Sequence, residues 1–529
     1  MAPKKMIHLN FFEMACTGSH MGIGMWKDPK DNSRQKNGLD YWIWLAKLAE
    51  KGKISCIFFA DNYAPAGDFE GHEAAFFRGG SNSGQQDPTI WISAMAAVSN
   101  SVAFGITGSS SYLTPFILAR TWSTLDHATR GRIAWNIVTS YTTSAAEACG
   151  KTSITPHDQR YEEVAEFMDL VYSLWQGSWE DEAEMWSPTE GAYNPDKIHK
   201  IKFEGKYHKT HAYGASQPSP QRTPVLFQAG QSPSGKAFAG KHAEAVFCGG
   251  AVPSDTAPYV KGIREIAASN GRDPQDVKVF PQITPILGKT LEEAQAKFKY
   301  YKSLADYKGG MAKLSSFINV DLFAFPLDEP FKFSGAKSDN AIHAIINTLA
   351  RYDNDPIPMT PRRLGETMAF CGFAAMPVGT PEMVADVMED WIENADIDGF
   401  NVTYVSNPES FEDVVELLVP VLQERGLMWK DYEVPGGTFR ENLYRLPGQK
   451  RPMGTHPASR FNTEELLKTN GDGKGGILID RVNVAKSDPE KTVAMNGDDV
   501  PAVNGLKISE DSEKFQEVQT SATEVKCQS

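Results

Sequence analysis

The sequence predicts an α/β protein built as a single (β/α)8 barrel with long insertions. Short β-rich runs alternate with longer segments of helical periodicity from the first residues to about residue 426. Several of these runs end in polar residues, as barrel strands do where they face an active site. The chain is 529 residues long, with a mass of 58.3 kDa, which leaves room for insertions between the barrel units.

Eight apolar runs are the predicted strands, and each precedes a predicted helix or an insertion. The strands are 7–12, 54–60, 102–108, 132–139, 224–229, 244–249, 277–287 and 399–405. The helical segments include 39–51, 88–99, 158–176, 233–242, 254–269, 290–304 and 408–425. Strands that alternate with helices in this way are typical of a parallel sheet, and eight units are enough to close a barrel.

The predicted organisation is one barrel domain followed by an extension. The barrel covers residues 1–445, and its two longest interruptions, near 177–223 and 306–380, are rich in Pro, Gly, Asp and aromatic residues. Loops of this length in a compact domain usually form lids or substrate walls. Residues 446–529 form the extension, and its polar, turn-rich composition predicts that it is largely disordered from about residue 470.

Composition excludes several classes of function. The formal net charge is −14 and the pI is about 5.4, which argues against a nucleic acid or an anionic membrane as the main partner. The six cysteines are far apart and form no CxxC pair, so we expect reduced thiols and no metal site. Without a signal peptide or a run of eighteen apolar residues, the chain is predicted to be cytoplasmic.

Polar residues at the ends of four predicted strands indicate a ligand site on one rim of the barrel. Asp61 follows the second strand, Thr107 lies in the third, Asn136 and Ser140 lie in and after the fourth, and Gln228 lies in the fifth. Each has an ordinary structural explanation, since Asp61 could simply cap the next helix. Buried amide and hydroxyl groups cost about 1–3 kcal/mol when unpaired, so Asn136 within an apolar strand needs a partner.

The segment QAGQSPSGKAFAGKHAEAVF is the most specific local motif. Ser232 precedes Pro233 and an Ala-rich helix, which is typical of a helix N-cap followed by proline at the first helical position. The free N–H groups of such a helix start could bind a phosphate, although an ordinary capped helix explains the segment equally well. His157 and Tyr161 lie on one face of another helix and could add donors. The sequence has no GxGxxG or P-loop motif at a strand end.

Several segments of the sequence, taken together, resemble those of one enzyme family. TLDHATRGRIAWNIVTS, HDQRY and PSPQRTPVLFQAGQSPSGKAFAGKHAEAVF occur in order, and with HLNFFEMAC and VGTPEMVADVM they resemble the luciferase-like flavin monooxygenases from about residue 7 to 445. The resemblance is greatest to the branch that includes the nitrilotriacetate, dibenzothiophene sulfone and long-chain alkane monooxygenases. It implies a (β/α)8 fold that uses reduced FMN, a separate NAD(P)H-dependent flavin reductase, O₂ and a small-molecule substrate. It also implies a homo-oligomer, either a dimer or a tetramer.

The same resemblance assigns roles to the polar residues. By correspondence of motif positions, Asp61 and Thr107 would contact the flavin ring, and Asn136 and Ser140 would line its pocket. The phosphate and ribityl chain would be held by His157, Tyr161 and Ser232, with backbone contacts from Ala229, Gly230 and Gln231. Cys16 and Tyr141 are candidate catalytic residues on the substrate side.

Two alternatives remain open at this stage. A deazaflavin-dependent oxidoreductase would share the barrel, and a flavin-binding protein without turnover would need only the phosphate site. The substrate is also open, because Tyr141 and Phe373 replace a His and a Trp of the alkane-oxidising branch. We therefore expect a monooxygenase for a small organic substrate that is apolar or contains a heteroatom.

Overall fold

In the computed structural model the described residues are 4–18, 20–64, 72–140, 142–331, 358–469 and 477–481. They contain fifteen strands. The strands are β1 (His8–Met14), β2 (Cys56–Ala60), β3 (Ala103–Ser109), β4 (Ile133–Val138), β5 (Glu184–Ser187), β6 (Gly191–Tyr193), β7 (His199–Glu204), β8 (Lys209–Tyr213), β9 (Val225–Gln228), β10 (Ala245–Cys248), β11 (Lys278–Ile283), β12 (Ile286–Leu287), β13 (Val378–Gly379), β14 (Gly399–Val402) and β15 (Ile477–Arg481).

Eight of these strands form a closed parallel barrel in the order β1-β14-β11-β10-β9-β4-β3-β2. Each overlaps one of the eight predicted runs, with β1 and β3 extending one or two residues beyond theirs, so the predicted fold is confirmed. The chain order around the barrel follows the sequence, with a return from β14 to β1. This arrangement places the carboxyl ends of all eight strands on one rim.

The described helices surround the barrel and cover its carboxyl end. They are α1 (Leu39–Lys51), α2 (Glu73–Gly79), α3 (Pro88–Ala97), α4 (Pro115–Ala128), α5 (Thr143–Ala148), α6 (His157–Tyr172), α7 (Pro233–His242), α8 (Pro253–Ser269), α9 (Leu291–Leu304), α10 (Tyr307–Ile318), α11 (Pro361–Phe370), α12 (Pro381–Ala395), α13 (Glu409–Asp413), α14 (Val419–Glu424), α15 (Phe439–Tyr444) and α16 (Thr463–Thr469).

Eight of these helices begin with the same local chemistry. A Ser, Thr or Asp side chain accepts a backbone N–H of the first turn, and in several helices proline follows at the first helical position. The pairs of cap and proline are Asp87–Pro88, Thr114–Pro115, Ser232–Pro233, Thr360–Pro361 and Thr380–Pro381. These residues fix where each helix starts relative to the preceding strand or loop, and they therefore fix the rim of the barrel.

The barrel interior near the amino ends of the strands is filled by apolar side chains. Inward residues of β2, β9, β10 and β11 pack with Phe439 and Leu443 of α15, which closes this end of the barrel. Beside this plug, the guanidinium of Arg440 donates to both carboxylate oxygens of Glu244, at 2.7 and 2.8 Å. Both side chains are almost completely buried. The amino end is therefore solid core.

The two predicted insertions have separate structures. Residues 177–223 contain the β5–β6 hairpin and the antiparallel strands β7 and β8, and β15 pairs with β7. The described part of 306–380 contains α10 and α11, which pack against each other. The region predicted to be disordered lies outside the described residues, apart from β15. No helix among the described residues is long and apolar enough to cross a membrane.

Candidate functional site

A cavity of about 590 Å³ lies at the carboxyl ends of the barrel strands. Five of the predicted site residues line it: Asp61, Thr107, Asn136, Ala229 and Gln231. They come from four separate chain segments, and the barrel register brings them together. The volume is within the range of cavities that bind cofactors and small molecules.

Asn136 lies on the cavity side of β4, opposite Thr107 of β3. Its amide Nδ2 donates to Thr107 Oγ1 at 2.9 Å, whereas its Oδ1 has no hydrogen-bond partner among the described residues. Asn136 is 3% exposed, so the unpartnered oxygen is buried. Asn136 Oδ1 can therefore accept a hydrogen bond from a donor on a ligand.

Three more amides lie in the barrel interior on the adjoining strands β1, β11 and β14. Asn10 and Gln282 both pair with Asn401 in the strand register, and Gln282 and Asn401 line the cavity. Within the described residues, Nδ2 and Oδ1 of Asn10 have no hydrogen-bond partner, and neither do Gln282 Nε2 and Asn401 Oδ1. An unpaired buried polar group costs about 1–3 kcal/mol, so a row of them indicates a polar ligand.

Asp61 lies at the carboxyl end of β2 and lines the cavity. Burial raises its pKa to about 7, because desolvation disfavours the carboxylate, although a hydrogen bond from Gln85 Nε2 partly opposes this shift. Near neutral pH the side chain can therefore donate or accept a hydrogen bond. Such a group can contact a heterocycle edge without fixing a full charge in the cavity.

The start of α7 forms one side of the cavity. Ser232 Oγ accepts the backbone N–H of Gly235 at 3.0 Å, which confirms the predicted N-cap. A Cβ atom on Gly235 would lie 2.9 Å from Tyr161 Oη, so the glycine allows the helix start to contact α6 closely. Tyr161 also hydrogen bonds to Ser232. Lys236, one turn into α7, lines the cavity and adds a cation.

The remaining predicted residues that the structure describes do not line the cavity. Ser140 has a left-handed backbone with φ of 29°, and its Oγ is 2.8 Å from Ser109 Oγ. His157 is partly exposed and its Nδ1 lies 2.9 Å from Asp158 Oδ1. Cys16 is buried and its thiol donates to the Gly18 carbonyl, while burial raises its pKa to about 12. Tyr141 lies outside the described residues.

The rest of the cavity wall is mostly apolar. Met14 of β1 and Met21 of the following loop lie on one side, and Phe317 of α10, Met368 of α11 and Phe373 come from the 306–380 insertion. The insertion therefore contributes directly to the cavity, as expected for a substrate wall. Methionine side chains adapt to irregular apolar ligands.

Several polar residues in or beside the cavity were not identified from the sequence. Asn10, Gln282 and Asn401 carry the same signal as Asn136, a polar residue within an apolar strand, and could have been found by it. His20 and Lys236 have no comparable signal, because they follow a strand end or a helix cap in segments where polar residues are ordinary. Their position depends on how distant segments pack.

The fold and the cavity together define an enzyme of the (β/α)8 class with a cofactor-sized site at the carboxyl ends of its strands. The row of unpartnered amides, the near-neutral carboxyl group and the helix start beside a lysine fit a neutral heterocycle that carries a phosphate. The chain belongs to the luciferase-like monooxygenase family, which matches residues 22–398. Members of this family are flavin-dependent oxidoreductases, so the family predicted from the motifs is confirmed.

Similar proteins cover nearly the whole described chain. The long-chain alkane monooxygenase of Geobacillus thermodenitrificans is 38% identical over 458 residues, which are 86% of this chain and 98% of that protein. The dimethyl-sulfide monooxygenase of Hyphomicrobium sulfonivorans is 36% identical over 87% of this chain and 94% of its own. The crystal structure of a riboflavin lyase with modified FMN and riboflavin has a TM-score of 0.78 and 31% identity, and covers 87% of this chain and 100% of that chain.

Proposed function

We propose that this protein is a two-component monooxygenase that uses reduced FMN, supplied by a separate flavin reductase, to insert one oxygen atom of O₂ into a small organic substrate. The observation that carries the proposal is the row of buried amides without partners at the carboxyl end of the barrel. The riboflavin lyase among the similar structures binds modified FMN, which supports the choice of cofactor.

The residues of the cavity fit the separate parts of FMN. Asn136, Thr107 and Asp61 would hydrogen bond to the edge of the ring, because they offer neutral donors and acceptors that have few protein partners. Ser232 and Lys236 at the start of α7 would hold the phosphate, since the helix N-terminus and the ammonium both favour an anion. When bound, reduced FMN supplies the electrons that activate O₂.

The chain's own contribution is to orient the reactants and to exclude water. Phe317, Met368 and Phe373 form an apolar wall of the cavity whose polar floor is made by residues at the strand ends, such as Asn136 and Asn401. A substrate placed against this wall would lie next to the flavin ring. Contact with water would let reduced oxygen escape as hydrogen peroxide before transfer, and the apolar wall limits this loss. The described part of 306–380 therefore covers the site.

The apolar wall also indicates the class of substrate. Met21, Met368 and Phe317 offer dispersion contacts and no charge to a ligand, so we propose a mostly apolar compound, with or without a heteroatom such as sulfur. Alkanes and dimethyl sulfide are the substrates that the names of the two similar monooxygenases give. Both classes fit a wall of this composition.

The proposal is tested by an oxygen-transfer assay under ¹⁸O₂. The protein is mixed with FMN, NADH and a purified flavin reductase, and a panel of alkanes and thioethers is analysed by mass spectrometry. We expect one ¹⁸O atom in the product of at least one compound, and no label when FMN is replaced by a deazaflavin. Oxidation that depends on deazaflavin and not on O₂ would contradict the proposal. The variant Asn136→Leu, which removes the amide from the floor, should lose the labelled product.

A further inference from the structure

Two lysines are buried beside the strand-end region of β1, and their surroundings differ. Lys36 is completely buried and its Nζ lies 2.6 Å from Glu13 Oε1, so its charge is balanced. Lys313 of α10 is 1% exposed, and none of the described carboxylates lies within ion-pairing distance of its Nζ. Its ammonium instead contacts His20 and Asn82. A buried cation in this position needs a structural or functional reason.

The contacts of Lys313 determine the protonation of His20. The ammonium donates to the backbone carbonyl of His20, and it lies 3.3 Å from His20 Nδ1. Burial lowers the pKa of Lys313 to about 7, so the side chain is an ammonium below that pH. In this form it has three donors and no acceptor, so Nδ1 must accept and carries no proton. The proton of a neutral imidazole then resides on Nε2.

Asn82 supports the same tautomer. Its Oδ1 lies 3.4 Å from Lys313 Nζ, and its Nδ2 lies 3.2 Å from His20 Nδ1. The lysine fixes the orientation of this amide, because only the oxygen can face an ammonium. The NH₂ group is therefore a second donor aimed at Nδ1. Two donors therefore converge on one ring nitrogen.

The position of His20 leaves its other ring nitrogen, Nε2, for a ligand in the cavity. It lines the cavity, and one face of its ring packs against Phe12 with 5.0 Å between the ring centroids. Since Nδ1 is occupied by Lys313 and Asn82, Nε2 is the nitrogen available to a ligand. Burial, together with the positive charge of Lys313, holds the pKa of His20 well below its usual value, so the ring stays neutral near pH 7.

We infer that Lys313 and Asn82 are positioning residues that hold His20 as a neutral imidazole with its proton on Nε2, so that His20 donates a hydrogen bond to an oxygen atom of the reactants bound in the cavity. A neutral donor binds the oxygen without transferring a proton to it. The role towards the reactants rests on the proposed monooxygenase function, whereas the tautomer does not.

The first test concerns coupling between flavin oxidation and oxygen transfer. His20→Gln keeps a side-chain N–H donor of similar reach, and His20→Leu removes it. We expect the hydrogen peroxide released per reduced FMN oxidised to rise several-fold in His20→Leu and to change less than twofold in His20→Gln. Equal peroxide yields in the two variants would overturn the donor role.

The closing test reads the tautomer directly and needs no turnover. The protein is labelled with ¹⁵N in its histidine rings, and the signal of His20 among the eleven histidines is assigned by its loss in His20→Gln. We expect a protonated Nε2 and a bare Nδ1 that do not change between about pH 5.5 and 6.5, where Lys313 is charged, although an unperturbed histidine titrates near 6.5. A proton on Nδ1, or titration near pH 6.5, would overturn the inference.

Lys313→Met should convert His20 to a mixture of tautomers, with a pKa closer to the ordinary value. Lys308→Met, on an exposed position of the same helix, is the matched control and should leave the His20 signals unchanged. If Lys313→Met does not fold, the wild-type spectrum still decides the tautomer. A spectrum of folded Lys313→Met identical to that of the wild type would show that the lysine does not position the ring.

Discussion

The two ends of the barrel contain buried polar groups that differ in their hydrogen bonding. At the amino end, Arg440 and Glu244 are buried, and the guanidinium donates to both carboxylate oxygens and to two backbone carbonyls. At the carboxyl end, Asn136, Gln282 and Asn401 leave amide atoms without hydrogen-bond partners in the part of the chain that the structure describes. Satisfied polar groups stabilise a core, and unsatisfied ones cost stability unless a ligand pairs with them. This difference separates the end of the barrel that stabilises the fold from the end that binds a ligand.

The largest expected effect is at the amino end. Arg440→Met leaves the Glu244 carboxylate buried without its partner, so the free energy of unfolding should fall by about 3–5 kcal/mol. Urea denaturation followed by circular dichroism measures this change. The double variant Arg440→Met/Glu244→Gln should recover part of the loss, and the FMN affinity of the folded single variant should equal that of the wild type. A fall in affinity would show that the two ends are not independent.

The second prediction concerns pH and Asp61. Its pKa is raised from 3.8 to about 7 in the folded protein, so the folded state holds a proton that the unfolded state has released. This contribution to stability is fully present below about pH 4 and is lost as the pH rises to about 7. The stability of Asp61→Asn relative to the wild type should therefore rise over this window by a few kcal/mol, since one pKa unit corresponds to about 1.4 kcal/mol.

Urea titrations at pH 4.5, 5.5, 6.5 and 7.5 measure this difference. Asp390→Asn, at an exposed position of α12, is the matched control and should show a constant difference from the wild type. A constant difference for Asp61→Asn as well would mean that the carboxyl group is ionised throughout. It would then act as a charged acceptor towards the flavin.

A smaller effect is expected at the floor of the cavity. Asn401→Leu replaces an amide, whose Oδ1 is unpartnered, with an apolar side chain of similar size. We expect the free energy of unfolding to stay the same or to rise by about 1 kcal/mol, because a buried unpaired group is removed. FMN affinity, measured by flavin fluorescence, should fall about tenfold, or about 1.4 kcal/mol. Lower stability with unchanged FMN affinity would show that Asn401 stabilises the fold and does not bind the flavin.

The smallest effect is expected at the start of α7. Ser232→Ala should weaken FMN binding about fivefold, or about 1 kcal/mol, and should leave riboflavin binding unchanged, because only FMN carries the phosphate. Thr290→Ala removes the equivalent cap of α9, which is not part of the cavity, and should reduce stability without changing FMN binding. An equal loss of FMN and riboflavin affinity in Ser232→Ala would place the phosphate elsewhere.

Local patterns predicted most of the architecture and part of the site. Apolar runs identified all eight barrel strands, and the Ser232–Pro233 pair identified the start of α7 to the residue, because strand burial and helix caps depend on neighbouring residues. The carboxyl-end rule brought Asp61 and Asn136 to the correct rim. Predicting these features requires only local residue patterns and the order of the strands and helices along the chain.

Other features depended on packing between distant segments. His20, Asn82 and Lys313 come from three parts of the chain, and nothing in their local sequence indicates that they meet. The pairing of Asn10 with Asn401 depends on closure of the barrel between its first and last strands. Contacts of this kind depend on the strand register and on where an insertion packs. The hydrophobic periodicity of the sequence carries no information about either.

Binding of reduced FMN at the carboxyl end of the barrel can be measured by an anaerobic titration. The wild-type protein and Asn136→Leu are titrated with reduced FMN, and each mixture is then combined with air-saturated buffer while the absorbance spectrum is recorded. We expect saturable binding of one FMN per chain, with slower flavin reoxidation than in free solution, and weakening of both effects in the variant. Reoxidation at the rate of free FMN, with no saturable binding to the wild type, would contradict this expectation.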